Sequence, residues 1–105
     1  MYTITSVSES IFVKLGSEIS AFANMKDIYN EMLSYNLSEY KHFTFDISDA
    51  GYIDSSMLGQ LLKINSKCKE FNINYNVVCS EEQSKIIQLC SLHKTLSIIV
   101  KEVGL

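Results

Sequence analysis

From Lys41 to Ile47 the chain reads K-H-F-T-F-D-I, with Phe43, Phe45 and Ile47 on every second position. A period of two places those three side chains on one face of a β-strand over 41–47. The same alternation marks 2–7 (YTITSV) and 11–15 (IFVKL), separated by Ser8-Glu9-Ser10, which predicts a hairpin. Apolar runs at 73–79 (INYNVVC) and 97–103 (SIIVKEV) complete the predicted strands.

Between the strands the period changes. Met25, Ile28 and Met32, with Tyr29 and Leu33 beside them, form the apolar stripe of a helix over 25–35, and Asn24 suits its N-cap. Leu58, Leu61, Leu62 and Cys68 form the stripe of a second helix over 56–70. Ser80-Glu81-Glu82-Gln83 reads as a capping box, in which Ser80 and Gln83 satisfy each other's free N–H groups. The helix it opens carries Ile86, Ile87, Leu89 and Cys90. The order is β-β-α-β-α-β-α-β. Strands alternating with helices require crossover connections, so the expected fold is α/β: one domain over 1–105, a mixed, mostly parallel sheet with helices packed on it. Proline is absent, and the turns rest on Gly16, Gly51, Asn and Ser.

Composition narrows the function classes. With 105 residues, 47% hydrophobic and 20% charged, the chain can bury a core without disulfide or metal staples. Net charge is −3, and all nine basic residues are lysines. A nucleic-acid binder shows a basic face and planar arginine forks, and neither is present. No apolar run approaches the roughly 18 residues of a spanning helix, and the N-terminus lacks the basic start of a signal peptide. A cytoplasmic protein is expected. The three cysteines, Cys68, Cys79 and Cys90, contain no C-x-x-C spacing and read as buried reduced thiols. Met25 and Met32 read as core packing, Glu81-Glu82 as a solvated first turn, and Lys63, Lys67 and Lys69 as a solvent face. The glycine-rich phosphate cradle of a nucleotide site is missing, so no cofactor is expected.

The candidate chemistry sits between the strand over 41–47 and the next helix, in D-I-S-D-A-G-Y-I-D-S-S-M. Asp46 to Gly51 follows the C-terminal end of a strand, where open α/β sheets engage ligands and partners. Ser55 or Ser56 can cap the helix, and Asp54 adds negative charge beside the positive end of its dipole. A cap needs one hydroxyl, and the second is then free to face solvent. Serine at a helix N-terminus is also a good phosphate acceptor. The modification adds about −1.5 to −2 charge where the helix tolerates it. Local chemistry does not choose between the two serines.

The stretch F-D-I-S-D-A-G-Y-I-D-S-S-M-L-G-Q-L-L resembles the signature of STAS domains, particularly stand-alone anti-sigma factor antagonists, which read D-L-S-x-V-x-x-I-D-S-S-G-L-G-x-L-L. Asp46, Ile47, Ser48, Ile53, Asp54, Ser55, Ser56, Leu58, Gly59, Leu61 and Leu62 fit it. Leu15-Gly16-Ser17-Glu18-Ile19-Ser20 stands where the family has L-x-G-E-L-D. The resemblance implies that Ser55 is phosphorylated by a serine kinase of the histidine-kinase-like ATPase fold, which doubles as an anti-sigma factor. A PP2C-type phosphatase removes the phosphate, and the unmodified protein binds the kinase. It also implies a monomer when free, and a partner-binding surface around Asp54, Ser56, Met57, Ser20 and Gly51. Met57 replaces the family's glycine, and Ser17 and Ser20 replace its glycine and aspartate.

Two other readings compete. A constitutive STAS interaction subunit, such as a transporter accessory, would use the same fold with the hydroxyls only capping or touching a partner. An enzyme would need Ser55 as nucleophile with His42 or His93 as base. The sequence argues against the enzyme, because no G-x-S-x-G elbow occurs.

Overall fold

A computed structural model describes residues 2–17, 21–51 and 53–101. Five strands make one sheet in the order of the chain: β1 (Tyr2–Val7), β2 (Ser10–Leu15), β3 (His42–Asp46), β4 (Asn74–Cys79) and β5 (Ile98–Val100). β1 and β2 form the antiparallel hairpin that the alternation predicts, turning through Ser8 at φ 53°. The pairs β2–β3, β3–β4 and β4–β5 are parallel. Each parallel step requires a crossover, supplied in turn by α1 (Ala21–Met32), α2 (Ser55–Glu70) and α3 (Glu81–Leu89). Right-handed crossovers that advance in one direction place all three helices on the same face of the sheet.

Burial follows that face. Ile11, Val13, Leu15, Phe43, Phe45, Ile47, Tyr75, Val77 and Cys79 point under the helices and are buried. The residues between them, Phe12, Lys14, Thr44 and Asn76, are exposed or half-exposed on the other side. The helices return Met25, Ile28, Met32, Leu58, Leu61, Ile64 and Ile87 to the same core. Burying a side chain of this size fully contributes about 1.5–3 kcal/mol. The mixed, mostly parallel α/β architecture and its element order are those the sequence predicts.

Several details differ. α1 begins at Ala21, so Asn24 lies inside the helix rather than capping it. It ends at Met32, where Ser34 and Tyr35 turn back onto the carbonyls of Glu31 and Met32 instead of continuing to residue 35. α3 stops at Leu89, with Cys90 as its C-cap. Neither Leu89 nor Cys90 joins the buried side of α3, which is Gln83, Ser84 and Ile87: Leu89 is 85% exposed and Cys90 is exposed. Cys68 and Cys79 are buried as expected, and burial alone pushes the Cys68 thiol up to about 12. β5 spans Ile98–Val100, shorter than the predicted 97–103, of which 102 and 103 lie outside the described residues. No helix among the described residues is long and apolar enough to cross a membrane.

Candidate functional site

All three parallel connections leave the sheet at the same end, and that end carries the D-S-S segment. β3 finishes at Asp46, whose Oδ1 accepts hydrogen bonds from the Ser48 backbone N–H (2.9 Å) and hydroxyl (2.6 Å). This local turn diverts the chain into a 3₁₀ turn over Ser48–Ala50. Gly51 ends the turn at φ 72°, a conformation that a side chain would strain. Ile53 is then buried and pins the segment to the core just before the helix.

Asp54 is the N-cap of α2. Its backbone is extended (φ −112°, ψ 178°), and its Oδ1 accepts from the Met57 N–H at 2.9 Å. The sequence left the cap open between Ser55 and Ser56, but the helix starts one residue earlier and the carboxylate takes the role. Ser55 and Ser56 become the first two helical residues. Both are exposed, and neither hydroxyl bonds to a described residue. Two hydroxyls thus stand in solvent at the positive end of a 16-residue helix.

Met57 corrects an expectation. The resemblance implies a place for it on the partner-binding surface, yet it is 1% exposed and belongs to the core. As the third helical residue it faces inward, and Ser55 and Ser56 face out. Where the family signature has glycine, this chain fills the space under α2 with a thioether side chain. Gly51 and Asp54, by contrast, are exposed beside the serines. Ser20 lies outside the described residues.

The fold joins the two sequence motifs. Lys14, at the end of β2, reaches Asp49 of the 3₁₀ turn at 3.4 Å. Together with Tyr2, Thr3, Leu15, Gly16 and Ser17 they line an open groove of 490 Å³. The L-G-S segment and the D-I-S-D-A-G segment are therefore neighbours at one end of the sheet. The Lys14–Asp49 pair is half-exposed on both sides and contributes little to stability. Lys101 approaches Asp46 at 4.0 Å from the end of β5.

A side chain that sequence reasoning confined to the α3 capping box also belongs here. Gln83 is fully buried, and its amide donates to the carbonyls of Ile47 (2.8 Å) and Gly51 (3.0 Å). The capping box itself is present as predicted. Its second role joins residues 36 and 32 positions apart, and no local pattern announces it.

The two histidines are not brought to the serines. His42 opens β3, at the end of the sheet opposite the start of α2, and His93 lies in the turn after α3, before β5. Both are exposed. Among the described residues no group of three or more His, Cys, Asp or Glu could hold a metal ion. The lysine face of α2 is solvated, with Lys63 over the Tyr29 ring (4.3 Å to its centroid) and Lys67 paired with Glu70 at 2.8 Å.

Comparison with known proteins agrees with this architecture. A STAS domain family model matches residues 2–103. The solution NMR structure of the protein TM1081 superposes with a TM-score of 0.74 at 19% sequence identity, covering 96% of this chain and 82% of that one. At that identity the likeness speaks for the fold alone. No curated protein matches the sequence. With the family model spanning almost its whole length, the chain belongs to the STAS domain family.

Proposed function

We propose that this STAS domain is a partner-switching regulator of the anti-sigma factor antagonist type, a kinase substrate and not a catalyst. Unmodified, it docks on a serine kinase of the histidine-kinase-like ATPase fold through the surface around Gly51, Asp54, Ser55 and Ser56. Phosphorylation of Ser55 releases it, and a PP2C-type phosphatase resets it. The setting is cytoplasmic, and the output is a sigma factor or another target freed from the kinase.

One observation carries the reading: Asp54 supplies the N-cap, so the hydroxyls of Ser55 and Ser56 stand exposed without a structural task among the described residues. A phosphate there would place about −1.5 to −2 charge at a helix N-terminus, which tolerates it, so the fold would survive while the docking surface, which already carries the Asp54 carboxylate, becomes far more negative. Like charge at an interface weakens binding by repulsion and desolvation.

The test is peptide mass spectrometry on the protein isolated from its own cells, with and without PP2C-type phosphatase. A removable phosphate is expected on Ser55, lost in Ser55→Ala and retained in Ser56→Ala. A phosphate on Ser56 instead would keep the mechanism and move the residue. An absence of phosphate in every growth condition would replace the switch with a constitutive docking subunit.

A further inference from the structure

The geometry points to Gln83 as a positioning residue: a clasp between α3 and the β3–α2 loop that presents Ser55 to its partner. This rests on the phospho-switch reading above and adds a residue to it that lies outside the D-S-S motif. All the side-chain hydrogen-bonding groups of Gln83 that the fold can use are committed. Its Nε2 carries two donors, and both go to carbonyls, Ile47 O at 2.8 Å and Gly51 O at 3.0 Å. Its Oε1 accepts from the Ser80 N–H at 2.8 Å, and its own backbone N–H donates to Ser80 Oγ at 3.1 Å. Since the two loop partners are both acceptors, only the NH₂ end of the amide fits between them.

Ile47 and Gly51 flank the 3₁₀ turn Ser48–Ala50 at its two ends. One amide therefore ties both ends of the turn to the start of α3. The Ile47 end is also held to β4, where the Ile47 N–H donates to the Val78 carbonyl at 2.8 Å, so the contribution of Gln83 alone is to tie the Gly51 end to it. Asp46 holds Ser48 from two residues away, and the Lys14–Asp49 pair is solvated. Three residues after Gly51 comes Asp54, the cap that decides which side chains of α2 point out. Holding Gly51 holds the entry to the cap, and the cap sets the outward direction of Ser55 and Ser56.

Gln83→Glu separates the two jobs of the side chain. A carboxylate still accepts from the Ser80 N–H, so the capping box persists, but both donors vanish and an anion faces two carbonyl oxygens. Gln83→Met keeps the volume without the polar groups and covers the case in which the buried charge prevents folding. Ser80→Ala is the counterpart: it weakens the cap of α3 and leaves the amide donors in place.

The experiment is hydrogen exchange read by mass spectrometry on peptides over 47–57 and, separately, over β2, β3 and β4. Exchange in 47–57 is expected to accelerate by about tenfold or more in both Gln83 variants, since both hydrogen bonds that the amide donates to the loop are lost. The strand peptides should stay at the wild-type rate, and Ser80→Ala should leave 47–57 near wild type. In the protein's own cells, Ser55 phosphate occupancy should fall in the Gln83 variants and hold in Ser80→Ala. Unchanged exchange in 47–57, or equal acceleration across the strands, overturns the clasp. Faster loop exchange with unchanged occupancy overturns the presenting role. No phosphate on the wild type overturns the phospho-switch, and exchange alone then decides the clasp.

Discussion

The starts of α2 and α3 solve one problem with opposite chemistry. α2 opens Asp54-Ser55-Ser56-Met57, and α3 opens Ser80-Glu81-Glu82-Gln83. Both N-caps have extended backbones, and both side chains accept from the N–H three residues on, at 2.9 and 3.1 Å. In α2 the cap is a carboxylate and the next two side chains are neutral hydroxyls. In α3 the cap is a hydroxyl and the next two are carboxylates. The fourth position is buried in each, an apolar plug in Met57 and a polar clasp in Gln83. The difference teaches what a first turn in this fold accepts. Adjacent negative charges at its first two positions already stand in α3 beside the positive end of the helix dipole. A phosphate on Ser55 would bring α2 to a comparable charge.

The comparison breaks most visibly at the fourth position. Met57→Ala is expected to cost about 2–5 kcal/mol in urea unfolding, the range for emptying a buried methionine site. A cost within about 0.5 kcal/mol, the usual surface value, would return Met57 to the partner-facing role that the family signature suggests.

The caps come next. Asp54→Ala and Ser80→Ala should each cost about 1 kcal/mol. That is a drop in melting temperature of about 4–8 °C for a domain near this size. Ser55→Ala and Ser56→Ala should stay within about 0.5 kcal/mol, as exposed side chains without partners do. If thermal unfolding shows Ser55→Ala falling as far as Asp54→Ala, the hydroxyl is a cap after all and is not free for a kinase.

How much of this was legible depended on distance along the chain. Period-two alternation placed β1 on its observed residues and β2 and β3 within one residue at each end, and the apolar run at 73–79 did the same for β4; β2, β3 and β4 bury one side, and β1 half-buries Tyr2 and Ile4 on one side. The α3 capping box was legible because its partners lie three residues apart. The α2 cap was only half legible. D-S-S offers three caps, and the choice falls on whichever residue keeps extended backbone, here Asp54, which the buried Ile53 and Met57 on either side help to set. The inward turn of Met57 follows from that same one-residue phase. The stripe drawn through Ile86 and Ile87 was carried past the helix end to Cys90, and Leu89, the last helical residue, lies off the side that Gln83, Ser84 and Ile87 bury. The reach of Gln83 to Ile47 and Gly51 left no trace, since it depends on β3 and β4 lying side by side in register.

The smallest effect tests the lesson of the two helix starts most directly. Ser55→Asp puts a carboxylate at the first position of α2, where α3 has Glu81. Attraction to the helix dipole favours it by about 0.3–1 kcal/mol at low ionic strength. Repulsion from the neighbouring Asp54 opposes it, as Glu81 and Glu82 oppose each other in α3. The expected net is a gain of a few tenths of a kcal/mol. Because both terms act between exposed charges, the gain should vanish by about 1 M salt, where the Debye length is about 3 Å. Glu81→Ser should show the mirror image, a small loss at low salt that closes at high salt. Urea titrations at two salt concentrations read both signs. A loss above about 1 kcal/mol for Ser55→Asp, persisting in salt, would mean that the start of α2 rejects charge that α3 accepts. Phosphorylation at Ser55 would then act by loosening the first turn, and the release of the partner would come from a change of shape and not from a change of surface charge.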